Sequence, residues 1–335
     1  MKYTNTSRSV KRFYQTSLLF MAMSGLLGCA AEGEPQERVG MAPSAFRAAT
    51  TTMNLDNSPD LIWQKQDTGE LAVWFLENNL HSLPDATVGP AETSLCAPSS
   101  GWEMKGTADF NGDSTNDLLW YNGSTGRLSI WTMNGTTHLD DLLIGPESTS
   151  TLRASEGWDI VNVSYIDFDF WPDILWHNRE TGQLAIWHLG ENGEHLPGDS
   201  VIGPANTSWL PDSTGWRLHG VRDFDGNASP DLLWYNGNTG KLAIWYMLGS
   251  THLPGDAEIG PASISTLPSS TGWELKGVDD FDGDYNFDLL WYNGNTGTTA
   301  IWYLNGATHI DRDKIVGPSW NSTLPASAGW KLLSR

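Results

Sequence analysis

Three short segments place an oxygen-bearing side chain at every second position: Asp109, Asn111, Asp113, Thr115 and Asp117; Asp223, Asp225, Asn227, Ser229 and Asp231; and Asp280, Asp282, Asp284, Asn286 and Asp288. In a tight loop this spacing turns positions one, three, five, seven and nine toward a common point, where the carboxylates repel one another unless a cation joins them. Calcium, a hard ion that takes about six to eight oxygens at about 2.3–2.6 Å, suits such a set, so the segments read as up to three Ca2+ sites. Position seven varies most, as expected where the backbone carbonyl is the ligand. The competing reading is an acidic hairpin that hydrogen-bonds its own backbone. Two related segments are depleted. One carries Tyr165 at position one, then Asp167, Asp169 and Asp173 around Trp171-Pro172; the other has Thr52 ahead of Asn54, Asp56 and Asp60. No strong metal is expected in either.

The elements that must position these loops follow from self-similarity. Asp-[Leu/Ile]-[Leu/Ile]-Trp ends at Trp63, Trp120, Trp176, Trp234 and Trp291, at spacings of 57, 56, 58 and 57 residues. A second Trp always follows 11 residues later, and a third, after Gly, stands at Trp102, Trp158, Trp216, Trp273 and Trp330, so that 15 of the 18 Trp belong to the repeat. One unit reads as four strands: Trp273–Val278, Leu289–Tyr292, Thr299–Leu304 after the turn Asn293–Gly297, and a weaker strand ending at Ile315–Pro318. Pro at that end, repeated as Pro90, Pro146, Pro204 and Pro261, suits an outer sheet edge. Strands two and three are continuous apolar runs, as in Leu242–Tyr246, so both faces of each sheet are to be covered.

Tandem four-stranded sheets covered on both faces describe an all-β fold, a five-bladed β-propeller over residues 52–335. The first unit enters at its loop and the chain ends on an unattached first strand, Gly329–Arg335, which is expected to complete the first blade. The motif Asp-Phe-[Asp/Asn]-Gly-[Asp/Asn]-x-x-x-Asp-Leu-Leu resembles the FG-GAP/VCBS repeat, across five copies. The resemblance implies a propeller with calcium in the hairpin between the first two strands of a blade. Where that family has Gly at loop position six, this chain has Ser114, Ala228 and Tyr285, so the turn is expected at Gly112, Gly226 and Gly283 in position four. For extracellular modules affinities of about 10⁻⁴–10⁻³ M are usual, which makes a structural role for the ion the expectation.

Charge and the front end bound the partners. Net charge is −21, and the four basic residues of the first 28 take the remainder to −25 without them. A field of that sign repels phosphate backbones and excludes nucleic acid as a partner. Lys2, Arg8, Lys11 and Arg12 precede an apolar stretch from Phe13 to Gly28, as in a signal peptide over residues 1–28. Leu26-Leu27-Gly28-Cys29 resembles the lipobox of bacterial lipoproteins, which implies lipid on Cys29, contact with the membrane through that anchor only, and an outer-membrane or cell-surface location. An ordinary cleaved signal or an uncleaved anchor is the alternative. Residues 29–51 read as a flexible tether. With Cys29 lipidated, Cys96 has no disulfide partner.

A His recurs once per unit, at His81, His138, His195, His252 and His309, and is expected to fix its turn by a local hydrogen bond rather than bind metal or sugar. No nucleophile elbow, zinc motif or phosphate loop is present, and the residues that break the repeat, Trp171, Trp209 and Trp320, are aromatic. The expected function is therefore non-enzymatic: a calcium-stabilised, surface-anchored, lectin-like propeller that binds glycans or another surface polymer in adhesion or recognition. The alternatives are an envelope protein-interaction scaffold and a polysaccharide hydrolase or lyase.

Overall fold

The computed structural model describes residues 52–333 apart from 57, 78–79, 90–97, 145–151, 168, 203–209, 261–265 and 317–325. The leader, the tether, Cys29, Cys96, Trp209, Trp320 and the prolines of the five Gly-Pro pairs lie outside the described residues.

The second strand of each unit is buried almost throughout: Leu61–Lys65, Asp117–Asn122, Asp173–Asn178, Asp231–Asn236 and Asp288–Asn293. A strand apolar on both faces needs a layer on each side, and here sheet stacks on sheet. Five antiparallel sheets of four strands result. In blade two the order from the inside outward is Trp102–Ala108, Asp117–Asn122, Arg127–Asn134 and Thr137–Leu143. Blades three, four and five begin with the inner strands Trp158–Ser164, Trp216–Arg222 and Trp273–Asp279. In blade one the inner strand is Trp330–Leu332, which pairs antiparallel with Lys65–Trp63. The C-terminal strand thus completes the first blade of a five-bladed propeller.

Each of the five hydrophobic cores lies between two blades. Trp120 and Trp131 pack on Ile62 and Val73, Trp176 and Trp187 on Tyr121 and Ile130, and Trp234 and Trp245 on Leu175 and Ile186. Trp291 and Trp302 pack on Leu233 and Tyr235, and Trp63 and Trp74 on Leu290 and Tyr292, which closes the ring. Within a blade the two Trp rings meet at 4.7–4.9 Å between centroids. The recurrent His then stacks on the second of them at 4.2–4.4 Å. In four blades the His Nε2 reaches an Asp four residues on, at 2.5–2.8 Å, as the local role requires. In blade two His138 instead stands 3.5 Å from Asp141.

The inner strands carry a bulge between Met104 and Gly106, Ile160 and Asn162, Leu218 and Gly220, and Leu275 and Gly277. Neighbouring inner strands come so close there that a Cβ at Gly106 would lie 2.8 Å from Val163, and one at Gly220 2.5 Å from Val278. The bulged residue has no partner in the ladder; in blades two, four and five it is Lys105, His219 or Lys276, which line one cavity, whereas Val161 of blade three packs into the core beside blade four.

The outer strands are less uniform than the sequence pattern suggests. They run eight residues in Leu80–Thr87 and Thr308–Ile315, but only two in Ser200–Val201 and Ala257–Glu258. Each of the short pair is preceded by a Pro-Gly, Pro197-Gly198 and Pro254-Gly255, whose glycines sit at φ 124° and 113°. Proline removes a ladder donor and the following Gly bends the chain, so the edge is interrupted.

Candidate functional site

The ring has two chemically distinct ends. Inner strands run from a short 3-10 turn, such as Asp212–Thr214 or Ser269–Thr271, to the acidic loop, and second strands run back to a hairpin. The acidic loops therefore lie at one end, and the 3-10 turns and hairpins surround the axis at the other.

In the three intact loops the position-one carboxylate accepts three backbone N–H groups. Asp223 accepts from Gly226, Asn227 and Ala228 at 2.7–3.1 Å, and Asp109 and Asp280 do the same with their own loops. This wrap places Gly112, Gly226 and Gly283 at φ 77–79°, as expected, but it also holds Ser114, Ala228 and Tyr285 at 67–70°. Position six keeps the left-handed turn without glycine, at a steric cost of about 1–2 kcal/mol each.

In blades four and five, positions one, three and nine converge. Carboxylate oxygens of Asp223, Asp225 and Asp231 lie within 4.8 Å of one another, as do those of Asp280, Asp282 and Asp288. In blade two, position three is the amide Asn111, whose Nδ2 donates to Asp113 Oδ2 at 3.0 Å. Positions five and seven are otherwise engaged. Asp113 accepts from Thr115, and Asp284 from Asn286. Thr115 Oγ1 donates to the Met133 carbonyl, Asn227 Nδ2 to that of Met247, and Ser229 Oγ accepts from Gly249 N–H. The three converging groups are all oxygens, a donor set for a hard cation.

Position nine has a further duty. Asp231 is fully buried, and its two oxygens accept Phe224 N–H and Met247 N–H, both at 2.8 Å. Asp60, Asp117, Asp173 and Asp288 make the same pair of bonds, to loop position two and to the third strand or, for Asp173 as for Asp231, the residue two beyond its end. The carboxylate clasps loop and sheet in every blade, including the two depleted ones. Burial pushes its pKa up, to about 6 for Asp60 and Asp173, about 7 for Asp117 and Asp231, and about 8 for Asp288.

The depleted loop of blade three is occupied differently. The Trp171 ring lies over Gly112 of blade two, whose Cβ would meet it at 3.2 Å. The Tyr165 hydroxyl bonds the Asp109 backbone; burial, and after it the charge of Asp109, pushes that phenol up to about 12. Asp167 and Asp173 are joined by His188, which directly follows the third strand Leu184–Trp187, to form a third cluster of ligand atoms within 4.8 Å.

At the opposite end a funnel of about 740 Å³ opens on the axis. Its wall includes the bulge residues Lys105, His219 and Lys276, together with Glu103, Arg217, Glu274 and Lys331 beside them, and Gln64, Gln66, Asn238, Ser269 and Ser270 around the rim. Most charges are paired: Lys105 Nζ is 2.8 Å from Glu103 and 2.7 Å from Asp159, Lys276 is 2.6 Å from Glu274, and Arg217 is 3.4 Å from Asp212. The Lys105 ammonium holds the Glu103 carboxyl below the usual range. Among the described residues blade three contributes none to the wall: Asp159 is held between Lys105 and Arg179, and Val161 packs into the core.

Neither the funnel nor His188 follows from the motif reading. The signal for the funnel is the residue after each Gly-Trp pair, which changes from Glu103 to Asp159, Arg217, Glu274 and Lys331 while its neighbours repeat. For His188 it is the residue after the second Trp, otherwise Phe75, Thr132, Tyr246 and Tyr303.

No protein-family model and no curated protein matches the chain. Solved structures similar to it include a Bacteroides caccae protein of unknown function, at 12% identity and TM-score 0.39 over 80% of this chain and 76% of that one. A chain of a nidogen/laminin complex follows at 13% identity and TM-score 0.38, over 77% and 78%. The Dos1 propeller is similar at 10% identity and TM-score 0.37, over 76% and 62%.

Proposed function

We propose that this chain is a non-enzymatic recognition propeller that binds a glycan or another polar surface polymer in the central funnel. The carrying observation is the funnel wall, where amide and hydroxyl groups from several blades surround charges that are already paired, beside the partly exposed ring of Trp102. Such a wall offers hydrogen bonds and a stacking face without a dominant charge, the chemistry a sugar presents in reverse. The Lys-paired carboxylates favour binding over hydrolysis, since a glycosidase acid needs a raised pKa and Glu103 has a lowered one.

Calcium belongs to this reading as a structural ion of the loops in blades two, four and five, in keeping with the FG-GAP/VCBS resemblance and, in blades four and five, with the oxygen-only convergence at positions one, three and nine. The Cys29 lipid anchor would hold the ring at the bacterial outer membrane or cell surface. A second reading, an envelope protein scaffold, is favoured by Phe170 and Tyr285, which stand 88% and 89% exposed on two loops at the other end of the ring.

A glycan array probed with and without calcium tests the first reading. Binding is expected, with about a tenfold loss on Arg217→Ala or Asn238→Ala at unchanged melting temperature. No glycan bound in either condition removes the glycan reading. Crosslinking in intact cells to one envelope protein through Phe170 would replace it with the second.

A further inference from the structure

Five copies of one backbone frame allow a site to be read by what a single copy adds. Only blade three has His at the position after the second Trp, and only blade three combines Tyr165 at loop position one with Asp167 and Asp173 at positions three and nine. His188 Nδ1 lies 3.2 Å from Asp167 Oδ2 and 3.5 Å from Asp173 Oδ1. It is buried, yet it makes a hydrogen bond to neither. The other ring nitrogen, Nε2, is 3.1 Å from Ser200 Oγ, on the outer strand. The side chain of Asp173 is wholly buried and that of Asp167 is 34% exposed, so the cluster is closed on the core side and reachable from solvent.

Two ligands of a tetrahedral ion with bonds of about 2.0–2.1 Å stand about 3.3 Å apart, which matches the spacing around Nδ1. An imidazole nitrogen among carboxylates also changes the preferred ion. Calcium takes oxygen, whereas a mixed N and O set favours zinc and its first-row neighbours. A hydroxyl on the far ring nitrogen is the outer-shell contact that fixes the tautomer and orientation of a metal-bound His.

We propose that blade three carries a divalent transition-metal site, formed by Asp167 Oδ2, Asp173 Oδ1 and His188 Nδ1 with Ser200 orienting the ring, in the loop that has lost the calcium pattern. Asp169 flanks it and shares a hydrogen bond with Asp167. The remaining coordination position faces solvent on the Asp167 side. The site does not depend on the funnel or on what the funnel binds.

Untagged protein held in millimolar calcium, so that oxygen-only loops do not compete, is titrated with Co2+ and then Zn2+. One equivalent of Co2+ is expected to give visible absorption of an N,O-coordinated ion, displaced by one Zn2+. His188→Tyr, which installs the residue that blades four and five carry there, is expected to abolish the band and to weaken Zn2+ binding at least 100-fold, and Asp167→Asn is expected to weaken it about tenfold or more. Calcium-dependent melting should be unchanged in both variants. No cobalt band, or a band and zinc affinity that survive His188→Tyr, overturns the proposal. So does an NMR titration in which the His188 ring holds protons on both nitrogens, as an imidazolium paired with Asp167 and Asp173, and ignores added zinc.

Discussion

Blades three and four are neighbours with the same strand order and the same interrupted outer edge, yet their loops use one residue alike and the rest differently. In both, the Asp at position nine is buried and clasps the loop to the chain just beyond the third strand, Asp173 through Ile166 and Leu189, Asp231 through Phe224 and Met247. In blade four, Asp223 folds the loop around itself and stands with Asp225 and Asp231. In blade three, Tyr165 and Trp171 lean on blade two instead, and His188 takes the open side of Asp173. One Asp therefore belongs to the fold, and the others are free to vary with the ion. A count of carboxylates in the loop does not separate these two duties; the contrast between blades does.

The largest effect should come from breaking what the blades share. Asp231→Ala and Asp173→Ala each strand two buried N–H groups, and each is expected to cost about 2–5 kcal/mol in urea unfolding with chelator present. A loss below about 1 kcal/mol in either would mean that the clasp is not common to both. Asp225→Ala, which leaves the clasp intact, should be near neutral with chelator and lower only the calcium-stabilised melting temperature.

A smaller effect sharpens the difference in charge state. The unfolded chain loses its Asp protons near pH 4, whereas buried Asp117, Asp231 and Asp288 keep theirs to about 7, 7 and 8. Between those limits the folded form binds more protons, so without metal its stability falls as pH rises from about 4 to 8. A bound cation favours the ionised carboxylate and opposes that fall. Melting temperature with chelator is expected to be higher at pH 5 than at pH 8, and the calcium-induced rise to be larger at pH 8; equal rises at both would disconnect the ion from position nine.

The smallest effect concerns the backbone. Ala228→Gly relieves a left-handed residue and should stabilise blade four by about 0.5–1 kcal/mol. Phe170, at the equivalent place in blade three, is not in that conformation, so Phe170→Gly should be neutral or slightly destabilising. A gain from both would show that the two loops are wound alike.

The ring itself was legible because its largest side chains recur at fixed intervals: Trp120 and Trp131, 11 residues apart, occupy adjacent strands of one sheet, and only a repeated blade explains five such pairs. The closing strand was legible from the unattached Trp330. Outer strands were over-read in blades three and four, where Pro197-Gly198 and Pro254-Gly255 weigh more than the pattern before them. The left-handed turn at Ala228 was missed because its driver is not local propensity but the Asp223 carboxylate, which collects successive N–H groups. The funnel was hidden by the inner-strand bulge, which sets Lys105 and Lys276 on the axis against simple alternation. His188 was hidden because a ligand just beyond the third strand lies outside the acidic-loop motif.

The pairing of Trp63 with Leu332 joins positions 269 residues apart. During synthesis the growing chain can stack its sheets but cannot seal them, and both outermost edges stay open until residue 332 has emerged. Closure is therefore a late and all-or-none event, slow in the way that distant β-pairing is slow. Proteolysis of nascent against completed chains should find the same core in both but a protected seam only in the second.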